Sequence, residues 1–347
     1  MPRIAVVSSH PPFTEGGHLV IARALVDQLR AIGHDADLVL TPQNRFGRQA
    51  AAYLATWLTD VAESDGKRID QVISLRYPSY AVRHPRHVCW LNHTMREYYD
   101  LWPAFHARLS RPNRIKEGLR RRVIHATDRR LLAPGRLAKL FVQSHTIQQR
   151  LRDAIGLQGE VLHPPPPVRP YRCDGYGNYF LAVSRLTPHK RIDLLIRALA
   201  EPEAGGLRLV VVGDGESRDE LRQLAGALGV LSRITFLGKV DDDTLVTHYA
   251  RCRAVCFPPL REDYGFVTAE AFASGKPVIT CNDSGGPAEL IEPDVDGLIA
   301  KPTPSSIALA MRRVADDRAL TEHMGAAGLR KAAGMTWPSV LGRLVVV

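Results

Sequence analysis

Four charged side chains in the second half of the chain stand where they could do chemistry. Arg185 and Lys190 lie five residues apart just past the apolar run "YFLAVS", and Glu262 and Glu270 lie eight apart in "REDYGFVTAE". A guanidinium and an ammonium on one loop can both face a diphosphate, the first as a planar fork and the second as a point charge. A carboxylate has two acceptor oxygens and holds a vicinal diol well. Between the glutamates, Tyr264 is followed by Gly265, Phe266, Val267 and Thr268, which open a helix. Backbone N–H groups at a helix start suit anionic or hydroxyl oxygens, and glycine at 265 permits close approach. Helix-end cations and dipole-favoured acids are the plain structural alternative for these charges.

The elements that must position these residues alternate along the chain. "RIAVVSS" (Arg3 to Ser9) is a continuous apolar run that predicts a buried parallel strand. A loop dense in Pro and Gly follows, then the amphipathic "HLVIARALVDQLRAIG" with a glycine stop at Gly33. "DADLVLT", "QVISLR", "HVCWLNH" and "KLFVQS" supply further strands, so residues 1–163 read as a doubly wound α/β domain. Pro164 to Pro167 fit neither a helix nor an interior strand and predict a stiff linker. Residues 168–335 repeat the pattern through "YFLAVSRL", "LRLVVVGDG", "RITFLG", "AVCFPP" and "PVITC". Residues 336–347 remain as a short terminal segment returning toward the first domain. Two such domains facing each other across a deep cleft would take ligands at the carboxyl ends of their strands.

Bulk properties narrow the function. A chain of 347 residues exceeds one compact core, and 45% hydrophobic with 24% charged residues is the balance of a soluble enzyme. No apolar run reaches the roughly 18 residues of a bilayer span, and the N-terminus lacks a signal-peptide pattern. Cys89, Cys173, Cys252, Cys256 and Cys281 form no CxxC pair, which predicts reduced thiols in a cytoplasmic protein. Cys252 and Cys256 could share a helix face but make a poor metal site without a His or carboxylate partner. The net charge of +10 suggests an anionic partner. Between Arg108 and Lys139 stand eleven Lys or Arg against Glu117 and Asp128 alone. A solvated helix face accounts for such a run, and the sharper reading is peripheral docking on anionic lipid or an anionic acceptor.

Absent motifs exclude more. Neither half offers the GxGxxG spacing of a dinucleotide oxidoreductase; "GDGESRDE" supplies only two of its glycines. GxxxxGK[ST] is missing, and no helix-turn-helix, aromatic RNA platform or zinc module supports nucleic-acid binding. "VDDDTL" (Asp241 to Asp243) could suggest a divalent metal. The helix "TLVTHYARC" follows at once, so a cap with acidic first-turn residues explains the cluster and no metal is expected.

From about Asn178 to Lys301 the chain resembles the retaining glycosyltransferases of family 4, through "VSRLTPHKRIDLLIRAL", "LVVVGDGE", "ITFLGKVDDDTL", the Glu-x7-Glu segment and "GGPAELI". The first half fits more loosely, through "FTEGG" and "WLNHTMREYYDLW". The resemblance implies the two-domain GT-B fold and transfer of a hexosyl group from a UDP- or GDP-linked sugar, with retention of configuration and no metal or other cofactor. It implies that Arg185 and Lys190 neutralise the diphosphate, that Glu262 binds hydroxyls of the transferred sugar and that Glu270 grips the ribose. It places Gly16 and Gly17 by the diphosphate and sugar, His93 beside the anomeric centre, Lys239 and Val240 along the base, and Arg261 over it. The acceptor is left open among a sugar, a lipid-linked saccharide and a small molecule, as is oligomerisation. The alternatives are a GT-B sugar-nucleotide epimerase and a catalytically silent sugar-nucleotide-binding protein.

Overall fold

The computed structural model describes residues 1–10, 17–43 and 46–347. The chain divides into two units, Met1–Pro164 with Trp337–Val347, and Pro165–Thr336. The proline run is split between them.

The first unit is built on a parallel sheet of strands β1 (Arg3–His10), β2 (Asp35–Pro42), β5 (Gln71–Arg76), β6 (His87–His93), β7 (Lys139–Val142) and β8 (Glu160–Val161), in the order β2-β1-β5-β6-β7-β8. A small hairpin, β3 (Glu63–Ser64) with β4 (Lys67–Arg68), lies outside it. Strand β1 is buried from Ile4 to Ser9, which is why its sequence is apolar without alternation. Helices α1 (Gly17–Ala31), α2 (Gln49–Leu58), α3 (Trp102–Ala107), α4 (Arg111–Leu131) and α5 (His145–Ile155) accompany the sheet. The Ser144 hydroxyl caps α5 by accepting from the Ile147 N–H, and Gly156 ends it in the left-handed region.

The second unit orders its strands β11-β10-β9-β12-β13-β14: β9 (Phe180–Val183), β10 (Leu209–Val212), β11 (Ile234–Gly238), β12 (Ala254–Cys256), β13 (Val278–Cys281) and β14 (Gly297–Ala300). Its helices are α6 (Ile192–Ala200), α7 (Arg218–Ala227), α8 (Asp242–Arg251), α9 (Phe266–Ala273), α10 (Gly286–Leu290), α11 (Pro304–Asp316) and α12 (Arg318–Ala333). Strand alternation feeds two cores. Phe180 and Ala182 pack with Leu195, Met311 and Met324 on one face, and Leu181 packs with Tyr249, Val255 and Phe272 on the other. The chain winds outward from β9 through β10 to β11, then crosses back to β12, so the order reverses between β9 and β12. That junction is the topological switch point, where open α/β sheets bind ligands beyond the strand ends.

The C-terminal segment, α13 (Trp337–Leu344), belongs to the first unit. Trp337 meets Trp90 edge-on at 6.3 Å. Buried Gln71 on β5 donates to the Leu344 carbonyl at 2.6 Å and accepts from the Val346 N–H at 2.9 Å. One expectation about cysteines is corrected. Cys252 terminates α8 and Cys256 lies in β12, so the two share no helix face, because the chain turns extended at Cys252. No described helix is long and apolar enough to cross a membrane.

Candidate active site

Three loops at the ends of β9, β12 and β13 are laced together by backbone hydrogen bonds at the switch point. The Leu260 N–H donates to the His189 carbonyl (2.8 Å), joining the loop after β12 to the turn after β9. The Arg261 and Glu262 N–H groups donate to the Asp283 and Ser284 carbonyls (3.0 and 2.7 Å), and the Gly286 N–H returns to the Glu262 carbonyl (2.9 Å). This lacing needs glycine. Gly285 has φ +75, and a Cβ on Gly286 would stand 2.5 Å from the Tyr264 Cα and carbonyl oxygen. On the other side of β9, a Cβ on Gly213 would collide with the Ser184 carbonyl at 1.8 Å, so that loop is equally fixed.

This frame sets the side chains. Lys190 ends a short turn, Pro188–Lys190, and its Nζ donates to Glu262 Oε2 at 2.7 Å while lying 5.3 Å from the centre of the Phe257 ring. A cation from the loop after β9 and a carboxylate from the loop after β12 therefore meet at the switch point. Next to them, Arg191 adopts a left-handed backbone (φ 52) and makes a bidentate contact with Asp283 (2.8 and 2.7 Å). Hydrogen bonding to Asp283 holds that guanidinium above its ordinary range. Arg185 is exposed on the same loop.

Glu270 is buried in α9 with both oxygens engaged. Oε1 accepts from Arg169 (2.6 Å) and Oε2 from the Tyr249 hydroxyl (2.7 Å). Arg169 also lies 2.9 Å from Asp242 at the start of α8. Burial works against the Arg169 charge, and Glu270 together with Tyr171 and Asp242 more than offsets it, so the guanidinium stays above its usual range. Burial, reinforced by the carboxylate, pushes the Tyr249 phenol up and keeps it a donor. The Tyr171 hydroxyl also stands against this carboxylate, and burial, reinforced by Glu270, pushes that phenol up as well.

The other residues singled out in the sequence fall as follows. Gly265 lies in the left-handed region (φ 84) against Pro287 and Phe257, and Phe266 and Val267 open α9 with amides that have no acceptor one turn back. Two of these positions turn inward. The Tyr264 ring lies in the core at 5.2 Å from Phe266, so only its backbone faces the loop. The Thr268 N–H donates to the Gly265 carbonyl (3.0 Å) and its side chain is buried, so it closes the first turn and presents no amide outward. Lys239 is exposed and Val240 half-buried past β11; Arg261 is exposed with φ 49. In the first unit, Gly17 opens α1, whereas Gly16 lies outside the described residues. His93 ends β6, half-buried opposite Arg76, its carbonyl accepting from the Tyr77 N–H (3.1 Å). Asp241 caps α8 by accepting from the Thr244 N–H (2.8 Å), which gives the acidic triplet a local role.

Arg169, Tyr249 and the Arg191–Asp283 pair were missed in the sequence. Arg169 carries the weakest signal, a lone cation just past the proline linker.

Residues 171–331 match the model of the family glycosyl transferases group 1. An uncharacterized glycosyltransferase of Methanocaldococcus jannaschii is 39% identical over 146 residues, which cover 42% of this chain and 37% of that protein. The GDP-mannose-dependent alpha-(1-6)-phosphatidylinositol monomannoside mannosyltransferase of Mycobacterium tuberculosis (strain CDC 1551) is 31% identical over 242 residues, 62% of each chain. The chain spans from about a fifth to about three fifths of the length of the curated relatives it matches. Among solved structures, sucrose-phosphate synthase from Thermosynechococcus elongatus superposes with a TM-score of 0.75 at 17% identity, over 99% of this chain and 97% of that one. The fold is GT-B, and the match to the glycosyl transferases group 1 model lies within its second unit.

Proposed function

We propose that the protein is a retaining glycosyltransferase of family 4, moving a hexosyl group from a UDP- or GDP-linked sugar to an acceptor hydroxyl. The observation that supports this best is the Lys190–Glu262 contact at 2.7 Å, made by loops from either side of the switch point. Arg185 and Lys190 meet the pyrophosphate charge, and the Phe266 and Val267 amides at the start of α9 add donors. Glu262 keeps its second oxygen for sugar hydroxyls, and Glu270, set by Arg169 and Tyr249, takes the ribose diol. Lys239, Val240 and Arg261 are assigned to the base. His93, Gly16 and Gly17 are assigned to the sugar and diphosphate on the family resemblance.

The acceptor oxygen forms a bond to the anomeric carbon on the face from which the phosphate leaves. The anomeric C–O bond breaks, the hydroxyl proton passes to the departing phosphate oxygen, and a nucleoside diphosphate is released. The protein contributes positioning and charge stabilisation, with Arg185 and Lys190 in place of a divalent cation. The acceptor is a sugar, a lipid-linked saccharide or a small molecule, and the enzyme acts in the cytoplasm.

The test incubates the protein with UDP- and GDP-sugars, with and without an acceptor fraction, in the presence of a chelator. Nucleoside diphosphate release that requires the acceptor and survives chelation is expected. Donor conversion without acceptor would indicate an epimerase, and no conversion with retained donor binding a silent binding protein.

A further inference from the structure

The proposed chemistry makes no use of the most basic helix in the molecule. Helix α4 has 21 residues, a rod of roughly 30 Å. It turns Glu117, Ile124, Asp128 and Leu131 inward. Outward it presents Ile115, Leu119 and Val123, which are 78%, 63% and 58% exposed. Their spacing of four and four aligns them in one stripe. Arg111, Lys116, Arg122, Arg129 and Arg130 on the same helix are also exposed. Its two carboxylates are held inside: Glu117 accepts from Tyr98 (2.7 Å) and pairs with Arg120, and Asp128 accepts from Tyr53, Tyr80 and Tyr99. The outward face therefore combines three large apolar side chains with cations and has no carboxylate.

A solvated helix face would explain the charges but leaves the apolar stripe in water. We propose that α4 is a docking surface for an anionic lipid bilayer. Ile115, Leu119 and Val123 enter the boundary between headgroups and acyl chains, and the flanking cations engage headgroup phosphates. Charge complementarity selects this occupant, since a cytoplasmic leaflet rich in anionic lipid offers many phosphates in one plane. The inference stands apart from the donor reading, because α4 contributes none of the residues assigned to the nucleotide sugar.

The test is cosedimentation of the whole chain with vesicles of phosphatidylcholine alone or containing roughly 30% phosphatidylglycerol. At least tenfold stronger binding to the anionic vesicles is expected, falling as salt rises above about 0.1 M. The triple variant Ile115→Ser, Leu119→Ser, Val123→Ser should lose at least tenfold in binding, and so should Arg122→Gln combined with Arg129→Gln. Circular dichroism checks that the variants remain folded. In the otherwise native chain, the indole added by Leu119→Trp should be quenched by brominated anionic lipid, a readout that does not depend on the triple variant folding. No preference for anionic vesicles, unchanged binding by the triple variant, or an added indole that brominated lipid leaves unquenched would overturn the proposal. It would equally be overturned if the lipid-free chain were a dimer that the triple variant dissociates, since the stripe would then be an interface between copies.

Discussion

At the scale of single residues, the candidate site is held by pairs of opposite charge with different exposures, and the exposures set what each substitution does. Lys190 and Glu262 retain 15% and 25% side-chain exposure, so their mutual attraction adds little to stability. Lys190→Gln should therefore change unfolding free energy by less than about 1 kcal/mol. It should lower kcat/KM for glycosyl transfer by roughly 10²–10³, the usual cost of losing one charge-stabilising donor. Urea unfolding and steady-state kinetics on the same preparation check both. Glu270 is more deeply buried than Glu262, at 8%, while its partner Arg169, at 16%, is exposed about as much as Lys190. Removing one partner leaves the other charge unpaired in the interior, so Arg169→Gln should destabilise the second unit by roughly 3 kcal/mol. It should also weaken nucleoside diphosphate binding by tenfold or more, whereas Arg169→Lys should restore part of both.

At the scale of elements, the site depends on loops that only glycine can close. Gly286→Ala would press a methyl group onto the Tyr264 backbone at 2.5 Å and should cost about 2 kcal/mol or more, with loss of transfer activity. Calorimetric unfolding of the variant measures it. In the first unit, Asp128 on α4 is fully buried, and burial raises its carboxyl to about 6 although three tyrosine hydroxyls favour the ionised form. The unfolded value is 3.8, so between these limits the folded chain binds more protons than the unfolded one. Stability from this group is then complete below about pH 4 and lost as pH rises through about 6, a difference of roughly 3 kcal/mol at most. Asp128→Asn should remove that pH dependence. Buried His87, lowered to about 3, gives an opposite slope that is common to both chains and cancels in their difference. Comparing urea unfolding of the two chains at pH 4 and pH 7 tests the sign. Such elements were largely legible in the sequence, because strands buried on both faces read as apolar runs and glycine stops mark helix ends. Lys190 meeting Glu262 was not legible. The two are 72 residues apart, and their contact requires β9 to lie beside β12, a choice of sheet order that apolar patterning leaves undetermined. Arg169 was hidden by its prolines, and the inward turn of the Thr268 amide by a first turn tighter than helix periodicity implies.

At the scale of the whole molecule, two doubly wound units carry different burdens. The second holds the laced loops and the residues that match the group 1 model, and the first carries the basic, partly apolar surface of α4. Mutation should separate these burdens: the α4 triple variant should keep full turnover on a water-soluble acceptor, measured by nucleoside diphosphate release. In the proposed function, Arg185 and Lys190 grip the pyrophosphate without a metal. The most direct measurement is calorimetric titration of UDP and GDP into the native chain and into Arg185→Gln, Lys190→Gln, in chelator, with uridine and guanosine as controls. One diphosphate should bind the native chain far more tightly than its nucleoside, and the double variant should lose at least a hundredfold of that advantage. Equal affinity for diphosphate and nucleoside, or a double variant that binds the diphosphate as the native chain does, would contradict that grip.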